Sequence, residues 1–355
     1  MQSFHRKVVI GILTIIGIFG AIIVLRLNKG NESNLVDEYL VNTIAVDRNA
    51  WTTLRSLMAN TDYRSTTVID ERALLPRVTE VERWELFQGP ISGADNFAPG
   101  IVALKEGGYR IYWNDYPNGG ISSATSIDGV TFEADSGLRL TQTYEGSGCM
   151  PSHPWLVSLD DGYRMYYQAV CEDGLPADTR MYSAFSVDGL TFVPEGVRLD
   201  VGADSGLTYA GHGRILTLAD GGYRLYFSAN TPVMEEGEPS AILGATSTDG
   251  LRWKLDDVLT LEMGHDPAIV WVDWKAHMYV SFLAKNLLHL VSDDGYSFTP
   301  VAWVEFYTND GTKFEEFGDI EMLVTDDGEL HIYGGGKLVG QREGFPGMVI
   351  MKQSE

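Results

Sequence analysis

Hydrophobic and polar positions alternate in short runs along most of this chain, and the runs repeat. GGYRIYW (Gly107–Trp113), DGYRMYY (Asp161–Tyr167) and GGYRLYF (Gly221–Phe227) share one pattern, with weaker copies in AHMYVSF (Ala276–Phe282) and GELHIYG (Gly328–Gly334). Their shared tyrosines, Tyr112, Tyr166, Tyr226, Tyr279 and Tyr333, stand 54, 60, 53 and 54 residues apart, which reads as five units of one size. An apolar run precedes each: APGIVAL, HPWLVSL, HGRILTL, DPAIVWV and DIEMLV. Apolar run, tight glycine turn and aromatic run together predict a β-hairpin. After four of the hairpins comes a second motif, SIDGVTF at Ser126, SVDGLTF at Ser186, STDGLRW at Ser247 and SDDGYSF at Ser292. Here Ser and Asp side chains satisfy turn amides and Gly takes a positive φ, so Asp128, Asp188, Asp249 and Asp294 are structural.

Each repeat therefore predicts four short antiparallel strands, and five in series predict an all-β, five-bladed β-propeller over residues 81–355. The fifth repeat shows only three strands, near Asp319–Val324, Glu329–Tyr333 and Met348–Lys352. VERWELF (Val81–Phe87) can supply the fourth and close the ring with N-terminal sequence. Residues 34–60 lack Gly and Pro and carry Leu35, Tyr39, Leu40, Ile44 and Leu54 at helical spacing, which predicts a helical stalk or a helix packed on the propeller.

Charge changes the picture at the N-terminus. The chain carries 26 basic and 49 acidic side chains, formally −23, and a body this acidic excludes a nucleic-acid partner, which needs clustered cations. The first thirty residues depart from that: Arg6, Lys7, Arg26 and Lys29 are there and no acid. Between them Val8–Leu25 has no ionisable group and spans about 27 Å as a helix, enough to cross a bilayer. The expected layout is a cytoplasmic end at 1–7, a single-pass transmembrane anchor at 8–25, a helical stalk or linker at 26–80 and a propeller outside the cytoplasm. A cleaved signal peptide is the alternative reading of the same run. Cys149 and Cys171 flank a hairpin whose Asp160-Asp161-Gly162 turn lies midway between them. They would face one another across it, as a disulfide in an exported domain or as two buried thiols.

Asp-Pro blade openings such as Asp266-Pro267, Gly-Tyr-Arg second strands, Ser-x-Asp-Gly outer hairpins and the terminal HIYGGG together resemble the five-bladed glycoside hydrolase superfamily. That superfamily includes arabinanases and xylosidases, invertases and levanases, and mannoside phosphorylases. The resemblance covers about three quarters of the chain. Sialidases, the competing propellers, have one more residue in the Asp turn, six blades and an arginine cluster that this chain lacks. The resemblance implies carboxylates around a central funnel, because a glycosidic oxygen must be protonated while water or a carboxylate attacks carbon.

The blade openings supply Asp95, His153, His212, His265, Asp266, Asp319 and Glu321, with Glu316 nearby. Where the superfamily places Asp before Pro in the first blade, this chain has Ala98-Pro99, and the second and third blades present histidines. Two readings follow. In the first, Asp95 and Asp266 act as base and modulator, Glu316 or Glu321 as acid, Asp319 is a further catalytic candidate, and His153, His212, His265 and Arg214 bind carbohydrate. In the second, the catalytic set is lost and the funnel only binds glycan or protein. Trp113, Tyr116, Trp155 and Trp271 can stack on sugars or pack in the core. No cofactor is expected beyond a structural calcium ion, although His153, His212, His265, Asp266 and Asp319 could converge on a metal near one axis. Arg110, Arg164 and Arg224 are expected between blades or at the surface, and His277 and His331 within second strands.

Overall fold

Each Gly-Tyr-Arg segment, and each of its two weaker copies, forms the second strand of an antiparallel meander. In the computed structural model the described residues are 43–60, 71–91, 96–141, 149–171, 180–202, 204–230, 240–282, 286–340 and 347–354. β1 (Val81–Gln88) comes first in the chain. The first repeat is β2 (Asn96–Ala103), β3 (Tyr109–Asp115), β4 (Gly120–Ser126) and β5 (Glu133–Ala134). The second is β6 (Cys149–Leu159), β7 (Gly162–Cys171), β8 (Met181–Ser186) and β9 (Val193–Leu199), and the third is β10 (Tyr209–Thr217), β11 (Tyr223–Asn230), β12 (Ala241–Ser247) and β13 (Lys254–Leu261). β14 (His265–Val272), β15 (Lys275–Phe282), β16 (Asn286–Ser292) and β17 (Thr299–Tyr307) make the fourth; β18 (Phe314–Val324), β19 (Leu330–Leu338) and β20 (Val349–Gln353) begin the fifth.

β1 pairs antiparallel with β20 and completes the fifth meander in the order β18-β19-β20-β1. It also pairs in parallel with β17, Val81 opposite Trp303 through Glu85 opposite Tyr307. Three repeats are therefore separate four-stranded sheets, whereas the fourth and fifth merge along their outer edges into one sheet of eight. The five first strands touch in a closed cycle, β2 to β6, β10, β14, β18 and back to β2.

The repeated tyrosines hold neighbouring repeats together. Their hydroxyls donate to the glycine carbonyl of the next repeat's Asp-Gly turn: Tyr112 to Gly189 at 2.8 Å, Tyr166 to Gly250 at 2.8 Å and Tyr226 to Gly295 at 2.5 Å. Tyr279 has no such turn ahead of it, because the fifth repeat lacks the motif, and reaches the Glu82 carboxylate on β1 at 3.4 Å. The arginines two residues before the first three of these tyrosines also work between and within sheets. Arg110 and Arg164 donate to the Asp188 and Asp249 carbonyls of the next repeat and pair with Asp135 and Glu195 of their own, while Arg224 pairs with Asp256. In the turns themselves one aspartate oxygen accepts two backbone N–H bonds, as Asp188 does from Leu190 and Thr191.

The helix, α1 (Arg48–Asn60), is capped by Asp47, whose carboxylate accepts the Asn49 and Ala50 amides. Trp51 and Leu54 are buried against Leu216, Ile242, Leu261 and Met278 of the third and fourth repeats. Ile44 bridges to Leu261. Of the two sequence alternatives for this segment, residues 43–60 take packing over a free stalk, because one helix face carries apolar bulk that only the sheets can cover. The apolar run Val8–Leu25 lies outside the described residues, among which no helix is long and apolar enough to cross a membrane. Cys149 stands opposite Cys171 in the register and is disulfide-bonded, and no cysteine is free among the described residues.

Candidate functional site where the first strands meet

One backbone feature recurs in all five first strands. Ala98, His153, His212, Asp266 and Asp319 have φ of 51, 50, 49, 52 and 48°. In each strand the pairing with its neighbour shifts there, between Phe97 and Gly100, Ser152 and Trp155, Gly211 and Arg214, His265 and Ala268, and Gly318 and Glu321. These are β-bulges, which re-aim a side chain out of the strand's alternation. A left-handed conformation costs about 1–3 kcal/mol at a residue other than glycine, and such strain concentrates at functional sites.

The strained residues are braced by the preceding repeat. The His153 N–H donates to Asn114 Oδ1 at 2.6 Å, the His212 N–H to Gln168 Oε1 at 3.1 Å and the Asp266 N–H to Ser228 Oγ at 2.9 Å. Asn114, Gln168 and Ser228 each sit two residues after the repeat tyrosine, and all three are buried. They escaped the sequence reading, although their fixed offset from that tyrosine was visible in it.

The result is a cluster built from residues far apart in sequence. The His212 ring centroid lies 4.3 Å from that of His153 and 4.3 Å from that of His265, whose ring stacks near Tyr209 at 6.2 Å. Asp266 Oδ1 is 3.5 Å from His212 Nδ1, and Ser152 Oγ is 2.6 Å from His153 Nδ1. Ligand atoms of His153, His212 and Asp319 all lie within 4.8 Å of one another. Those three and His265 are half-buried, whereas Asp266 is 4% exposed. Beneath them Arg214 donates to the carbonyls of Gly213, Pro99 and Ile320 and pairs with Glu321 at 2.9 Å.

Burial dominates the electrostatics. It lowers His153, helped by the adjacent His212, to about 3. Burial, with His265 and Arg214 beside it, also holds His212 far below the usual imidazole range, so both rings are neutral near pH 7. Asp319 is raised by burial and then by the Asp266 charge. Glu321 is raised by burial too, against the opposing pull of Arg214.

Of the residues proposed from sequence, His153, His212, His265, Asp266, Asp319, Glu321 and Arg214 are brought together. Glu316, half-buried near the start of β18, stands opposite Lys337 in the register. Asp95 lies outside the described residues. Trp155 stacks on Tyr166 in a cluster with Met181, Leu225 and Phe227, and Trp113 packs with Ile111, Tyr333 and Ile350. Both are core side chains between sheets. Trp271 donates its indole N–H to the Thr217 carbonyl, and Tyr116 is 43% exposed.

The sequence matches no protein-family model and no curated protein. Solved structures do match. A thermostable family-43 glycoside hydrolase is 18% identical over 75% of this chain and 92% of its own, with a TM-score of 0.58. An α-L-arabinofuranosidase from Lactobacillus brevis is 16% identical over 75% and 92%, also at 0.58. A family 117 glycoside hydrolase from the marine bacterium Zobellia galactanivorans is 14% identical over 78% and 91%, again at 0.58. These likenesses show the fold: the chain folds as these glycoside hydrolases do.

Proposed function

We propose that this chain is a five-bladed propeller that acts on oligo- or polysaccharide as a glycoside hydrolase, tethered by Val8–Leu25 with its propeller outside the cytoplasm. The observation that supports it is the placement of Asp266 and Asp319 at equivalent bulges of neighbouring first strands, where the charge of one raises the other. Glycosidic cleavage asks for two carboxyl groups held in different protonation states. In this reading Asp266 attacks carbon or activates water, Glu316 or Glu321 protonates the leaving oxygen, and Asp319 tunes both. The cyclic contacts of the five first strands and the Tyr333 bond back to the first repeat support the blade count.

The test is turnover of aryl glycosides and plant and algal polysaccharides by the full-length chain, with Asp266→Asn and Glu316→Gln beside it. Hydrolysis lost in Asp266→Asn, with the fold unchanged by circular dichroism, is the expected result. Turnover that survives both substitutions overturns the assignment.

A second reading, a non-catalytic glycan-binding propeller, is favoured by two observations. Ala98 stands at the first-repeat bulge, and Asp266 is almost wholly buried beside His212. Glycan-array binding without turnover would decide for it.

A further inference from the structure

The central cluster presents a donor set that sugar chemistry does not require. His153, His212 and Asp319 come from three different strands, yet their ligand atoms lie within 4.8 Å of one another. Two ligands of one zinc-like ion are separated by at most about 4.2 Å, twice a bond of about 2.1 Å. The side chains are thus within a small adjustment of a shared ion. Their strained backbones are locked by side chains of the preceding repeat at His153 and His212, so the arrangement is built in before any ligand arrives.

Two further details point to an ion. His212 Nδ1 is buried and makes no hydrogen bond, its nearest charged neighbour being the Asp266 carboxylate at 3.5 Å, and an imidazole nitrogen left so is costly unless a further partner completes it. His153 Nδ1 is engaged by Ser152 Oγ at 2.6 Å, which leaves Nε2 for a ligand and supplies the outer hydrogen bond that orients metal-binding imidazoles. The nearby cation, Arg214, is paired with Glu321 at 2.9 Å.

We infer that His153, His212 and Asp319 bind one divalent transition-metal ion of the zinc or cobalt type. The calcium ion that the sequence allows does not fit these residues. Calcium takes six to eight oxygen ligands, whereas two of the three donors here are imidazole nitrogens, which select for transition metals. An ion held this way fixes Asp319 as a ligand and leaves Asp266 as the free carboxylate.

The inference stands on the donor geometry and not on turnover, so a metal measurement tests it independently of the hydrolase reading. The untagged full-length chain is stripped with a chelator and titrated separately with Co²⁺, Zn²⁺ and Ca²⁺. One Co²⁺ per chain is expected, with visible absorption bands of a nitrogen-containing site, displaced by Zn²⁺ and unaffected by excess Ca²⁺. His212→Ala and Asp319→Asn should abolish the bands. Ser152→Ala, which keeps all three ligands and so guards against a misfolded variant, should weaken binding about ten- to a hundredfold. No stoichiometric Co²⁺ binding, displacement by Ca²⁺, or unchanged binding in the ligand variants overturns the inference.

Discussion

The Tyr333 hydroxyl donates to the Gly129 carbonyl at 2.6 Å, so that the last repeat of the chain is hydrogen-bonded to the Asp-Gly turn of the first. Both groups are buried, and the contact joins positions 204 residues apart. With the exchange of β1 into the fifth meander, it makes closure a property of the two chain ends together.

Tyr333→Phe should therefore lower stability by about 1–2 kcal/mol, the cost of a buried carbonyl losing its donor. Tyr112→Phe removes the matching bond to Gly189 between the first and second repeats. The same loss is expected, and thermal melts of the two variants should agree within about 1 kcal/mol. A Tyr333→Phe melt indistinguishable from the parent would show that the closing bond contributes nothing.

Asp188→Ala should destabilise the protein by about 1–2 kcal/mol without changing activity or ligand binding, because it removes the acceptor for the Leu190 and Thr191 amides and the Ser186 hydroxyl. Gly189→Ala should be worse. Its φ of +70° is left-handed, and a β-carbon there would meet Arg110 Nη1 and Tyr112 Oη at 2.9 Å. Urea denaturation read beside an activity assay separates the two effects.

Arg214→Met should cost about 3–5 kcal/mol, since it leaves the buried Glu321 without its partner. It also frees the Pro99 and Ile320 carbonyls. The double variant Arg214→Met/Glu321→Met should recover part of that loss. A double-mutant cycle that is simply additive would show that the pair does not act as a unit.

Acid sensitivity should run partly through Glu305. Burial pushes its carboxyl up, but Lys313, Tyr307 and Arg72 outweigh burial and bring it down to about 2 from an ordinary 4.5. The unfolded chain thus takes up this proton before the folded chain does. The stability Glu305 contributes is fully present above about pH 4.5 and is lost as pH falls towards 2. Glu305→Gln should cost about 2 kcal/mol near pH 7 and flatten the fall in stability between those limits, as followed by urea midpoints at several pH values.

Much of the architecture was legible along the chain because it rests on local chemistry repeated five times. The Gly-Tyr-Arg strands, the Ser-x-Asp-Gly turns and the VERWELF strand that completes the last repeat all follow from alternation and turn residues. The facing cysteines follow from the symmetry of one hairpin. Trp113 and Trp155 illustrate the limit. An aromatic residue in an alternating run suits a sugar face or a gap between sheets equally well, and only the packing of neighbouring repeats assigns them to the core. Glu321 is similar: its acidity is plain in the sequence, but the arginine that neutralises it comes from another repeat.

Five repeats, their strands and turns, and the residues at the start of each first strand are legible along the chain, because each of these depends on a few consecutive residues. Only the folded arrangement brings those positions together. A bulge exists only relative to a partner strand, so the left-handed turns at His153, His212, Asp266 and Asp319 could not be read from one strand alone. The closing of five strands in a cycle then places three imidazoles and two carboxylates together from positions spread over the chain. Proximity of that kind comes from ring geometry, and no spacing along the sequence encodes it.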